Sequence, residues 1–273
     1  MGLFYNNNVA GSGVAKRRRK KPFFRFWELF WGKFWNMFTM NLIYVLACIP
    51  IVTIGPATAA LTAMMRNVYL ERPQFIWHDF WREFKKNFKK SFVIGIIDVA
   101  AIALLLLTYN LFANTEDQNT RIICVLAFAA QAVFLLMNFY IYPQIAALEM
   151  KMSDILRNSL ILVFVNLPAE LIVIAALVGF VSLLVFFFFP AVFFLPFMPG
   201  AWMIFLSVFC CYPAIQKLII NPYYEQSGEP NPEIPAWELE EEENGEAVFA
   251  DQGGSEEPID LREEKKKGRK IIK

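Results

Sequence analysis

The sequence predicts an all-α fold, a polytopic bundle of membrane helices, and three observations carry that prediction. Residues 91–113 hold one acidic or basic side chain, Asp98; residues 122–148 hold none, and residues 158–216 hold only Glu170. A bilayer core roughly 30 Å thick takes about 20 apolar residues per helix, so these runs supply one, one and two crossings. The composition agrees, with 57% hydrophobic residues, 16% aromatics and 28 phenylalanines in 273 residues, well outside soluble norms. Charge is also segregated. Basic residues gather in 16–21, 66–90 and 265–273 and acids in 238–246, so the net charge of +1 says little. In hydrocarbon every backbone N–H and C=O needs an internal partner, which leaves helices as the spanning element.

Residues 1–22 are polar and then strongly basic, and read as a disordered arm. From 23 onward Phe23, Trp27, Trp31 and Trp35 recur every four residues, with Phe26, Phe30, Phe34 and Phe38 beside them. Such a helix suits the bilayer interface and leads into a first membrane helix near 37–54. Residues 56–69 are a short return segment, expected to be tilted, partial or re-entrant.

Residues 77–92 read as a second interfacial helix. Trp77, Trp81, Phe84 and Phe88 keep helical spacing, while Arg82, Lys85, Lys86, Lys89 and Lys90 take another face. Charge draws that helix to anionic headgroups of the inner leaflet and its rings draw it to acyl chains. The strict apolar stripe and the long apolar run that follows argue against a nucleic-acid patch.

Counting cations sets the topology. Residues 16–21 and 66–90 belong in the cytoplasm, and the short acidic loop with Glu116 and Asp117 lies outside. The chain then crosses outward over 91–113 and returns over 122–142. Two further crossings, broken at Pro190, Pro196, Pro199 and Gly200, bring the C-terminus inside. Six membrane segments with both termini cytoplasmic is the preferred arrangement, and five crossings the alternative. Pro-x-x-x-x-Leu at Pro56–Leu61, Pro143–Leu148 and Pro213–Leu218 hints at three hairpins; proline at a first turn or a kink explains it equally well. The bundle is thus expected over 23–220. Residues 221–273, proline-rich, then acidic, then basic, read as a disordered cytoplasmic tail.

Chemistry is sparsely signalled. The sequence has no phosphate loop, no Ser/His/Asp set and no paired catalytic acids. Its four cysteines and one histidine, His78, form no metal-ligand spacing. No cofactor and no catalytic activity are expected. Asp98 and Glu170 are the candidate functional residues, because an ionisable group at membrane depth is costly unless paired, hydrated or neutral. The plain alternative for either acid is a protonated carboxyl or one hydrogen-bonded to Asn110, Gln131, Asn138 or a backbone carbonyl.

One stretch carries a resemblance. Cys48-Ile49-Pro50-Ile51-Val52-Thr53-Ile54-Gly55-Pro56-Ala57-Thr58-Ala59-Ala60-Leu61 resembles the signature of the YesL-like family, with Pro50, Thr53, Gly55, Pro56, Ala57, Thr58, Ala60 and Leu61 as its marks. Asp79-Phe80-Trp81 and Phe84-Lys85-Lys86-Asn87-Phe88-Lys89 are similar to the segment that follows it. That family comprises bacterial, mainly Firmicute, membrane proteins carrying a domain of unknown function, and the resemblance covers about 26–224. Members are commonly encoded near sugar ABC transporters and polysaccharide-degrading enzymes. The resemblance therefore implies a plasma-membrane accessory to carbohydrate uptake or its regulation, with transporter subunits as partners. A small transporter or channel using Asp98 and Glu170 is the competing expectation.

Overall fold

The computed structural model describes residues 21–186, 199–228 and 231–234. The arm placed at 1–22 lies outside these residues up to 20, as do Pro190, Pro196 and the tail from 235 onward. Among the described residues every regular element is helical. They are α1 (Pro22–Gly32), α2 (Phe34–Ala47), a 3-10 turn (Ile51–Thr53), α3 (Ile54–Tyr69), α4 (Ile76–Asn114) and α5 (Gln118–Ala147). After them come α6 (Met152–Val165), α7 (Leu167–Phe186), α8 (Pro199–Ile215), a π turn (Gln216–Ile220) and α9 (Asn221–Ser227).

The predicted all-α class stands, but the helices differ from the expected spans. Three are long and apolar enough to cross a membrane: Ile76–Asn114, Gln118–Ala147 and the continuous run Gly200–Ser227. A fourth exists only if Met152–Val165 and Leu167–Phe180, bent by 87° at Asn166, are counted as one. The stretch expected as a first crossing stops at Ala47. With 14 and 16 residues, α2 and α3 are about 21 and 24 Å long at 1.5 Å per residue, short of a 30 Å core. They form a helical hairpin whose tip, Leu46, Ile49, Ile51 and Val52, is exposed and apolar.

α3 is the axis of the bundle. Thirteen of its 16 residues are buried, enclosed by α2, α4, α5 and α8. Its Ala57, Ala59, Ala60 and Ala63 let those neighbours approach closely, while Leu61, Met64 and Met65 fill the core with Met37, Met40, Phe80, Tyr140, Phe205 and Tyr212. Small residues at helix contacts are how membrane bundles bring backbones close. α1 attaches through rings: Phe26 stands 5.3 Å from Phe205 and Phe30 5.3 Å from Trp202. Trp31 of α1 and Trp35 at the start of α2 are exposed.

α4 replaces an expected pair of elements. The basic stretch 77–92 is not a separate in-plane helix but the first half of a 39-residue helix, about 58 Å long. No proline or glycine lies between Ile76 and Ile94, so nothing there ends the helix. Its buried stripe is Asp79, Phe80, Glu83, Asn87, Ser91, Ile94 and Gly95, which faces α3. Trp77 and Phe88 are exposed, and Trp81 and Phe84 only half-buried. The aromatic side, expected to meet acyl chains, thus stays largely outside the protein core, and the neighbouring side packs on α3. Residues 96–135 of α4 and α5 are mostly exposed and apolar, the surface a lipid-facing hairpin presents.

The proline repeat does not mark equivalent positions. Pro56 lies in the first turn of α3, whereas Pro143 and Pro213 lie inside α5 and α8 near their C-terminal ends. Leu61 is fully buried and Leu218 exposed. The bundle boundary also shifts: ordered structure continues past 220 through α9, and Glu233 is buried. Ion pairs, not apolar burial, hold that last segment, which is why composition read it as tail.

Candidate functional site

Three polar constellations lie inside this bundle. The first holds Asp98, on the α4 face turned to α5. Its Oδ1 accepts from Asn138 Nδ2 at 2.8 Å and its Oδ2 from the Tyr142 hydroxyl at 2.6 Å. Asn138 and Tyr142 are four residues apart on α5, so one face of one helix supplies both donors. About two to three turns nearer the α4–α5 connection, Gln131 Nε2 donates to Thr108 Oγ1 at 3.2 Å. Asp98 thus has the hydrogen-bonded partnering that the structural alternative anticipated, with Asn138 among its expected partners and Tyr142 added.

Glu170 is different. It lies in the first turn of α7, four residues past the 87° break at Asn166. The residue is 1% exposed, and its carboxylate faces the Tyr140 hydroxyl of α5, with the Cys211 thiol of α8 beside that hydroxyl. Neither carboxylate oxygen makes a hydrogen bond of good geometry. The two embedded acids therefore occupy separate sites.

The third constellation was not anticipated. Arg66, in the last turn of α3, donates Nη1 to the carbonyl of Ala146 at the C-terminal end of α5, where a cation meets the negative end of the helix dipole. Its Nε lies 3.7 Å from Glu233 Oε2, and Arg72 Nη1 lies 3.4 Å from Glu233 Oε1. The Tyr212 hydroxyl donates to Glu233 Oε2 at 2.5 Å. Backbone is held too: Arg72 Nη2 donates to the Pro232 carbonyl and Gln216 Nε2 to the Glu233 carbonyl at 2.7 Å. Sequence reading counted Arg66 and Arg72 only as topology signals. The one available clue was Glu233 framed by Pro230, Pro232 and Pro235, since prolines lower the entropy lost on ordering.

The basic residues of α4 meet this same end of the bundle. Lys90 Nζ donates to the Met150 carbonyl at 2.8 Å, and Lys86 lies 3.9 Å from Glu149. Arg82 pairs with the buried Asp79 at 2.8 Å. Asp79 also accepts from the Phe75 N–H at 2.7 Å and so closes the N-terminus of α4. Lys85 and Lys89 are exposed. The basic stretch, the α5–α6 connection and the Glu233 segment thus lie together, with the Asn114–Asp117 turn at the far end of α4.

The stretch 48–61 that carries the resemblance lies where α3 and α4 cross. Gly55 packs against Gly95 and Ser91; Thr53 Oγ1 donates to the Ala47 carbonyl at 2.6 Å; and Thr58 Oγ1 donates to the Ile54 carbonyl at 2.8 Å. Pro56, Ala57, Ala60 and Leu61 are buried along α3, and Pro50 is exposed at the hairpin tip.

These features describe a helical protein with the long apolar helices of a membrane protein. A family model described as a protein of unknown function, DUF624, matches residues 37–111, from α2 through most of α4. That region is narrower than the 26–224 suggested by resemblance; it contains the Gly55–Gly95 crossing and Asp98 but neither Glu170 nor Glu233. No curated protein and no solved structure matches the chain significantly.

Proposed function

We propose that the protein is a YesL-like, non-enzymatic accessory of the bacterial plasma membrane. It serves carbohydrate uptake or its regulation beside an ABC-type sugar transporter, with both termini in the cytoplasm and anionic lipids around the basic end. The observation that carries the reading is the signature at 48–61, which falls inside the matched residues 37–111 and forms the α3–α4 crossing. The gathering of Arg66, Arg72, Lys86 and Lys90 at one end supports the orientation, because cations favour the cytoplasmic side. Copurification from native membranes tests the association. A stoichiometric sugar-transporter permease in the eluate is the expected result, and its absence under conditions that preserve known membrane complexes overturns the reading.

A second reading is favoured by Glu170, a buried carboxylate with the Tyr140 hydroxyl beside it, just past a sharp helix break. Broken helices of this kind form ion and substrate sites in transporters. In this reading the protein is a small transporter or channel in its own right. Purified protein in vesicles then moves substrate or ions by itself, and Glu170→Gln abolishes the flux. Asp98, fully hydrogen-bonded, is the weaker candidate for that role.

A further inference from the structure

Three features of the Glu233 contact set it apart from an ordinary surface ion pair. The carboxylate is 6% exposed and both of its oxygens are engaged, by Arg72 on one side and by Arg66 and Tyr212 on the other. The two flanking carbonyls, Pro232 and Glu233, are bonded by Arg72 and Gln216. The receptor residues come from three separate elements: α3, the turn after it, and the α8–π run. Gln216 is the first residue of the π turn that follows Pro213. Such turns are frequent at binding sites.

A site that engages a carboxylate together with consecutive peptide carbonyls recognises a peptide, where a free anion would use the arginines alone. We propose that Arg66, Arg72, Tyr212 and Gln216 form a receptor for an acidic peptide bearing a Pro-Glu step. Residues 231–234 of the chain itself fill it as a latch that a partner's acidic peptide displaces. Pro-Glu occurs once in the chain, at 232–233, so no other stretch of the protein presents the same ligand. The latch adds little apolar contact, with Ile234 only half-buried, and is held by the paired carboxylate and two peptide carbonyls. Two arginines facing one carboxylate leave a net positive receptor when the latch leaves. An incoming acidic peptide meets a site already charged to receive it.

The test needs no sugar and no transporter, so its outcome is independent of the proposed uptake role. Hydrogen exchange is read on 229–236 of the full-length protein in detergent, wild type against Glu233→Gln. Exchange should accelerate at least about tenfold in the variant. A labelled peptide spanning 229–236 is then added to full-length Glu233→Ala. It should bind saturably, and the same peptide with Gln in place of Glu233 should not. Adding Arg72→Gln to the receptor should abolish binding while thermal melting is retained. Unchanged exchange in a folded Glu233→Gln protein overturns the latch. Equal binding of the Glu and Gln peptides, or no binding to a folded Glu233→Ala protein, overturns the receptor.

Discussion

Gly55 of α3 and Gly95 of α4 touch backbone to backbone. A Cβ added to Gly55 would stand 2.1 Å from the Ser91 carbonyl oxygen and 2.8 Å from the Gly95 Cα; one added to Gly95 would stand 2.7 Å from the Gly55 Cα. Real Cβ atoms do not approach backbone that closely, so the crossing depends on two missing side chains. This contact fixes α3 along the basic half of α4 and lets residues 80–95 of α4 close one wall of the core.

Gly95→Ala therefore forces the helices apart. Overpacking of this kind costs about 1–3 kcal/mol, and the clash is with backbone, which cannot swing away as a side chain would. Detergent thermal melts should show a clear loss for Gly95→Ala and a similar or larger one for Gly55→Ala. Gly179, which has open space around the Cβ position, is the control: Gly179→Ala should be neutral or slightly stabilising, because alanine favours helix. Unchanged melting of Gly95→Ala would rule out a crossing this close.

Asp98→Asn should be tolerated. The Tyr142 hydroxyl can still donate to the remaining carbonyl oxygen, and Asn138 Oδ1, which has no partner in the wild type, gains one in the new amide. Interhelical polar contacts in membranes average roughly 0.6 kcal/mol, so the melt should move little. Asp98→Ala is the contrasting variant. It leaves the Asn138 amide and the Tyr142 hydroxyl without their acceptor, at a cost of about 1–3 kcal/mol. Equal melts for the Asn and Ala variants would show that these two bonds contribute nothing.

The aqueous turn between α4 and α5 provides a pH dependence. Asp117 caps α5: the Thr120 hydroxyl, and then the Thr120 N–H, donate to its carboxylate and hold its pKa below the usual carboxylate value. A depressed folded pKa means that the cap's contribution is present above the unfolded pKa and is lost as pH falls through the folded one. Helix fraying at 118–121, followed by hydrogen exchange corrected for intrinsic rates, should therefore increase only on acidification below the ordinary aspartate range. Asp117→Asn should abolish that dependence. An identical acid response in the variant would assign it to another group.

Particular residues show what the sequence could reveal. The charge-free runs at 91–113 and 122–148 identified the α4–α5 hairpin because lipid exposure demands apolar side chains along the whole element. The first crossing was misplaced because 37–54 is apolar enough to span, while its length is decided by a turn at Cys48–Pro50 that hydropathy does not register. The basic amphipathic stretch was legible on one side only. Trp77, Trp81, Phe84 and Phe88 do share a side, while packing on α3 uses the neighbouring side with Asp79, Glu83, Asn87 and Ser91, which composition does not mark as buried. Asp98 and Glu170 stood out individually, since a lone acid in an apolar run is visible. Their opposite circumstances were not, because partners such as Tyr142 come from another helix. Glu233 was least legible of all: its burial rests on arginines more than 160 residues away in sequence, and its own neighbourhood is the composition of a tail.

Those opposite circumstances give Glu170 the sharpest prediction. Its two carboxylate oxygens are buried without a hydrogen bond of good geometry, with the Tyr140 hydroxyl beside them, and a poorly partnered buried polar group is destabilising, a charged one most of all. Glu170→Gln removes the possibility of charge at nearly constant shape and adds an amide donor beside the Tyr140 hydroxyl. If the acid is only structural, the variant should melt at the wild-type temperature or above it, and cells should keep wild-type growth on a polysaccharide whose use requires this protein. If the acid binds an ion or a proton during transport, folding should again be retained or improved, but growth should fail. Melting and growth together therefore separate the two roles. For an accessory protein the expected result is a raised melt with normal growth; lost growth with an intact or raised melt would move the assignment to the transporter reading.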